Sequence, residues 1–289
     1  MFYRSIWISD VHLGSRHAQT ELLLDFLRHH HCRQLYLVGD IVDGWELRRR
    51  WLWDAASNTV IQKILRIHRK ETRVTYICGN HDEFLQQFIG LSVGGVRVVN
   101  HAIHIGADRR RYLVIHGHQL DGLVHFNRLL ERVGSRLYDL ILTLNTHFNR
   151  LRRRLGFGYW SVSSYLKHNT KSAVRYITRF EDGMVQLAQK HRVQGVICGH
   201  IHRAEQRQIH GLNYFNCGDW VESCTALVED FEGRFQILRW HERRANSGVL
   251  DSLAADTAVE ESEKLPKSKS RRRRPAGWDD SEPELAGLF

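Results

Sequence analysis

The chain has 289 residues, 42% of them hydrophobic, and a formal net charge of +10. That content supports a sizeable core, and 200 or more residues in one α/β domain is ordinary. Five scattered cysteines, none in Cys-x-x-Cys spacing, argue against a disulfide framework and for a reducing cytosol, and no run approaches the ~18 apolar residues of a membrane span.

Met1-Phe2-Tyr3-Arg4 lead straight into the first strand-like run, so no signal peptide is expected. Ile6-Trp7-Ile8-Ser9 ends in Asp10-Val11-His12. Leu22, Leu23, Phe26 and Leu27 then recur at helical spacing. Leu35-Tyr36-Leu37-Val38 ends in Gly39-Asp40, with Asp43 three residues on. A second helical pattern from about Asp54 to His68 carries Val60, Ile61, Ile64, Leu65 and Ile67. Tyr76-Ile77-Cys78 ends in Gly79-Asn80-His81-Asp82. Strand, helix, strand, helix, strand predicts βαβ units. Val96 to His116 holds three short alternating runs, which predict antiparallel strands, and the last delivers His116-Gly117-His118.

Residues 119–192 change character. Phe126, Leu129, Leu130, Val133, Leu137, Leu140, Ile141, Leu144 and Phe148 keep a 3.5-residue period, and Ala173, Val174, Ile177, Phe180, Met184 and Leu187 make a second helical run. This segment, 13 Lys and Arg against 5 Asp and Glu, holds most of the basicity. It reads as a helical cap inserted into a domain of residues 1–244. Such a basic face suits nucleic acid, an anionic membrane or a phosphorylated substrate. Val196-Ile197-Cys198 then ends in Gly199-His200-Ile201-His202, and four β-rich runs follow. All three prolines lie beyond residue 265, and residues 245–289 read as a disordered tail.

Five strand-like runs therefore release Asp, Asn or His at the same end. One such residue is more often a cap or a turn. Five together supply carboxylates, an amide oxygen and imidazoles, with no thiolate, a donor set that Mn²⁺, Fe²⁺ or Zn²⁺ accepts. Seven donors exceed the needs of one ion with an open position, which implies two ions with a shared carboxylate.

These stretches, in this order, resemble the five motifs of the calcineurin-like metallophosphoesterases, from about residue 5 to residue 240. Within that family they are most similar to the bacterial UDP-2,3-diacylglucosamine diphosphatases of lipid A synthesis. The resemblance implies an α/β (α+β) fold of two mixed sheets flanked by helices, with the insert over the site. It implies Asp10, His12, Asp40 and His202 on one ion and Asp40, Asn80, His116 and His200 on the other, with Asp40 bridging. The ions supply the nucleophile and neutralise phosphoryl charge. His81 takes the place of the catalytic acid or cation, and Asp43 that of the carboxylate orienting it. The diphosphatases often carry Arg where this chain has His81, and free imidazole titrates near pH 6.5. Asn80, His81, Asp121, Asn169 and Lys171 are the expected substrate contacts. His118 is expected to touch substrate or to support a ligand. The implied reaction splits UDP-2,3-diacylglucosamine to UMP and an acylated sugar phosphate in the cytoplasm, at the anionic surface of the inner membrane. Nucleic acid is not the expected partner. The remaining histidines, His29-His30-His31, His101 and His104 among them, are expected to be surface or structural.

Overall fold

The computed structural model describes residues 1–121 and 171–240, with no side-chain account of 171–173. The chain opens with β1 (Phe2–Ile8), α1 (Thr20–His29), β2 (His31–Val38), α2 (Gly44–Arg49), α3 (Ala55–Arg69) and β3 (Arg73–Ile77). Short strands β4 (Ser92–Val93), β5 (Val96–Val99), β6 (His101–Ile105) and β7 (Arg111–Ile115) follow. Then come α4 (Lys171–His191), β8 (Gly195–Cys198), β9 (Glu205–Ile209), β10 (Leu212–Asn216), β11 (Thr225–Glu229) and β12 (Phe235–Arg239). Both early helices follow the apolar spacing. In α3, Asp54 caps the first turn by accepting from Ser57 N, Val60 and Ile64 are buried, and Arg66, His68 and Arg69 sit in the last turn. Cations there favour the negative end of the helix dipole.

The strands form two sheets, in orders β12-β11-β1-β2-β3-β5-β4 and β6-β7-β8-β10-β9. β1, β2 and β3 are parallel, as the βαβ reading requires. The three runs from Val96 to His116 divide differently from the expectation. β6 and β7 are antiparallel, but β5 runs parallel to β3. The chain leaves the first sheet at Val99 and enters the second at His101. Alternation alone does not say which sheet a short strand joins.

Side chains alternate across β1. Ile6 and Ile8 face a core under α1 and α3 with Phe26, Leu27, Val60 and Trp220. Trp7 faces the other way, into a layer between the sheets with Tyr36, Ile77, Tyr112, Ile197 and Phe215. The second helical run forms α4. Its Phe180, Met184 and Ala188 are buried with Leu113 and Val196 of the second sheet. Burying each such large side chain contributes about 1.5–3 kcal/mol. The order is thus helices, sheet, sheet, helix, the two flanked mixed sheets that the resemblance implies. The first helical run of the expected insert and the tail lie outside the described residues.

Candidate active site

The loops after β1 and β2 are zipped together beyond the sheet. Asp10 N donates to Gly39 O, Val11 N and His12 N to Asp40 O, Leu13 N to Ile41 O, and Asp43 N back to Leu13 O. This ladder holds a strained backbone. Asp10, His12, Asp40, His200 and His202 all have φ between +51° and +71°. Such conformations cost on the order of 1–3 kcal/mol each and persist where the surroundings over-determine them. Half of the positive-φ non-glycine residues among those described are candidate ligands, so the strain is concentrated at the site.

The motif glycines have a packing reason. A Cβ on Gly39, whose φ is +74°, would come 2.3 Å from His116 Nδ1, and one on Gly79 would come 2.1 Å from Asp40 Oδ1. Only a bare Cα lets these side chains converge.

They do converge. Ligand-capable atoms of Asp10, His12 and His202 lie within 4.8 Å of one another, as do those of Asp40, His116 and His200, and those of His12, Asp43 and His81. His116 Nε2 is 3.2 Å from Asp40 Oδ2 and 3.3 Å from Asn80 Oδ1, while its Nδ1 faces Val38 O at 2.9 Å. The carbonyl partner fixes Nδ1 as the protonated nitrogen and leaves Nε2 for the site. His200 N donates to Asp10 Oδ2 at 3.0 Å, which ties the two groups together.

Asp43 does more than expected. One oxygen lies 3.0 Å from His81 Nδ1 and also accepts from Glu46 N. The other lies 3.0 Å from His12 Nδ1. A single carboxylate thereby orients a candidate ligand and the candidate acid. His81 is further held by its N–H on Asp40 Oδ1 at 2.8 Å. Trp45 lies against its ring at 4.2 Å between centroids.

Charges follow the geometry. Burial pushes the Asp10 carboxyl up, but His202 beside it brings it down to about 2. Burial also opposes ionisation of Asp40 and Asp43, and the imidazoles of His116, and of His12 and His81, hold them well below the usual carboxylate range. Reciprocally, burial lowers His12 and His116, yet the carboxylates raise them to about 9 and about 10.

His12 Nε2 is buried and makes no hydrogen bond, and Asp10 Oδ1 is buried with His202 Nε2 3.3 Å away. An orphaned polar atom costs about 1–3 kcal/mol. A divalent cation would satisfy His12 Nε2 and bind Asp10 Oδ1, and the surrounding Asp, His and Asn donors suit a hard or borderline ion. The residues fit two such ions.

Of the expected substrate contacts, Asn80 and His81 line this cluster. Asp121 is engaged with His200, 2.9 Å from its Nε2, and Tyr176 OH donates to the same Asp121 oxygen at 3.1 Å. Asn169 and the Lys171 side chain lie outside the described residues. His118 is close by, its ring 5.5 Å from that of His116, and burial with the charges of His116 and His200 lowers it to about 4. His104 is structural as expected, buried against Glu229 at 2.8 Å. Three residues escaped the sequence reading. Tyr176 is one. Asp82 is buried and accepts from Gly79 N, Ile41 N and Tyr76 OH, locking the loop that bears Asn80. Asp219 accepts from Val221 N and Ser223 N in the turn beside Trp220, whose N–H donates to Asp10 O.

The family model described as calcineurin-like phosphoesterase matches residues 3–204. A UDP-2,3-diacylglucosamine hydrolase of Psychromonas ingrahamii is 23% identical over 227 residues, covering 75% of this chain and 89% of that one. One of Cellvibrio japonicus is 26% identical over 202 residues, covering 69% and 82%. Among solved structures, the E. coli phosphoesterase Yfce overlaps with a TM-score of 0.40 at 13% identity, covering 81% and 98%.

Proposed function

The chain belongs to the calcineurin-like phosphoesterase family and is a metal-dependent phosphoesterase, and on that premise we propose that it splits the diphosphate of UDP-2,3-diacylglucosamine into UMP and 2,3-diacylglucosamine 1-phosphate. The observation that carries the chemistry is the convergence of two Asp–His groups, Asp10, His12 and His202 beside Asp40, His116 and His200, at one end of the parallel strands. Two relatives bearing the name of that activity support the substrate. Asp10, His12 and His202 would hold one metal and Asp40, His116 and His200 the other, and these ions, which we take to be Mn²⁺, would supply the nucleophile and neutralise the phosphoryl oxygens when bound.

The chain's own residues do the rest. Asp40 Oδ2 lies between the two groups, 3.2 Å from His116 Nε2 and 4.0 Å from His12 Nε2, and Asp40 Oδ1 fixes the backbone of His81. Asp43 holds His81 Nδ1, so the other ring nitrogen, on a side chain 24% exposed, faces the open side. There it stabilises negative charge or gives a proton to the departing oxygen. We place the protein in the cytoplasm, at the inner-membrane surface, because the net positive charge in the sequence of residues 119–192 suits anionic headgroups.

His81 also supports a second reading, hydrolysis of another phosphodiester, a nucleotide or a nucleic-acid end. A departing sugar phosphate is acidic, with a second pKa of about 6, and leaves without needing a proton, so a fixed cation suffices. An alkoxide needs an acid, and imidazole is one. Comparing kcat/KM for UDP-2,3-diacylglucosamine, an aryl phosphodiester and a cyclic nucleotide discriminates. The first reading requires the lipid substrate to dominate, and higher turnover of the soluble esters would replace it with the second.

A further inference from the structure

α1 and α3 end where β2 and β3 begin, at the opposite end of the strands from the metal groups. The eight residues of β2 separate the two ends by roughly 25 Å. At this far end is a cleft of about 930 Å³, floored by Ile6, Leu27 and Leu35 and rimmed by Arg33, Lys70 and Arg73. Lys63 is near enough to Lys70, Arg66 and Arg28 to feel their charges.

None of these six cations has an acidic partner among the described residues. Some arginines elsewhere are paired, as Arg203 is with Glu205 and Arg234 with Asp230. The crowding is felt. Burial lowers the Lys63 ammonium, and Lys70, Arg66 and Arg28 lower it further. Burial lowers His31 too, with Lys63 and Lys70 adding to the effect. Cations in the last turns of α1 and α3 are ordinary, but the two helix ends offset only about one charge between them. Glu71, also on the rim, offsets one more. Most of the positive charge is left over, around an opening large enough for a ligand.

We propose that this cleft is a second binding site, for a phosphate-bearing anion whose charged group sits on Arg33, Lys70 and Arg73. The ligand is either a soluble phosphate compound or the headgroup of an anionic lipid. The site is independent of the hydrolytic one.

The test uses the full chain, its Asp40→Asn variant as a blank for the catalytic groups, and two cleft variants, Lys63→Glu/Lys70→Glu and Arg33→Gln/Arg73→Gln. Melting temperature is followed against inorganic pyrophosphate, and co-sedimentation is measured with phosphatidylcholine vesicles with and without phosphatidylglycerol. The expected result is stabilisation by pyrophosphate in the wild type and in Asp40→Asn, with affinity at least about tenfold weaker in both cleft variants. Without ligand, Lys63→Glu/Lys70→Glu should melt above wild type because it relieves repulsion, and hydrolysis of a soluble diester should be unchanged. Cleft-dependent preference for phosphatidylglycerol assigns the lipid source, and a pyrophosphate response alone assigns the soluble one. Responses that survive in both cleft variants, that vanish in Asp40→Asn, or that are absent from the wild type overturn the proposal.

Discussion

Replacing Gly79 by Ala adds one methyl group at the most crowded point of the site. Its Cβ would lie 2.1 Å from Asp40 Oδ1 and 2.5 Å from Asp40 N, whereas unstrained contacts lie near 3.5–4.0 Å. The Asp40 backbone is held, because its carbonyl accepts from Val11 N and His12 N. The carboxylate must therefore move by more than about 1 Å, and a displacement of that size costs about 10²-fold in rate. Overpacking adds a stability loss of about 1–3 kcal/mol, or roughly 2–10 °C in Tm at this size. Gly79 has no left-handed φ, so backbone strain does not contribute. Gly211→Ala is the control, with φ +79° but no atom within 4 Å of its Cβ, and it should lose stability while keeping activity. The assay is kcat on a soluble aryl phosphodiester, with metal content and thermal melting measured alongside. Gly79→Ala with wild-type kcat and full metal content would refute the account of Asp40.

Asp43→Asn should lower kcat by on the order of 10²-fold with the fold intact, because both His12 and His81 lose the carboxylate that orients them, and circular dichroism with steady-state kinetics checks it. Asp82→Ala leaves Gly79 N, Ile41 N and Tyr76 OH without an acceptor and should cost about 3–5 kcal/mol in urea unfolding. His12 and His116, raised to about 9 and about 10 without an ion, are protonated at pH 7.5. Metal binding must then release about two protons, and affinity should rise with pH until those values are passed. Calorimetry in buffers of different ionisation enthalpy measures the release, and pH-independent affinity would contradict it.

The strand ends were legible because an apolar run that stops at Gly and releases Asp, Asn or His is readable from one chain. Helices α1, α3 and α4 followed from their apolar spacing, and four strands after His202 from theirs. The assignment of β5 to the first sheet was not, since a four-residue strand carries no mark of its partner. Asp82 and Asp219 were illegible for a related reason. A buried carboxylate that gathers backbone N–H groups looks in sequence like any turn Asp. The double duty of Asp43 depends on His12 and His81 arriving from different strands. Tyr176 sits on a helix whose spacing announces only its apolar face. The left-handed backbone at Asp10, His12, Asp40, His200 and His202 has only a weak sequence signal, because Asp and His are enriched in that conformation but glycine, the residue that usually marks it, is absent from those positions.

The most direct measurement is UMP release from UDP-2,3-diacylglucosamine by the manganese-loaded protein, run beside Asp40→Asn. The account predicts stoichiometric UMP and acylated sugar phosphate from the wild type. It predicts a loss of several orders of magnitude in the variant, which gives up the carboxylate shared by both groups. Wild-type protein that binds its ions, hydrolyses a simple phosphodiester and yet releases no UMP from this substrate would contradict it.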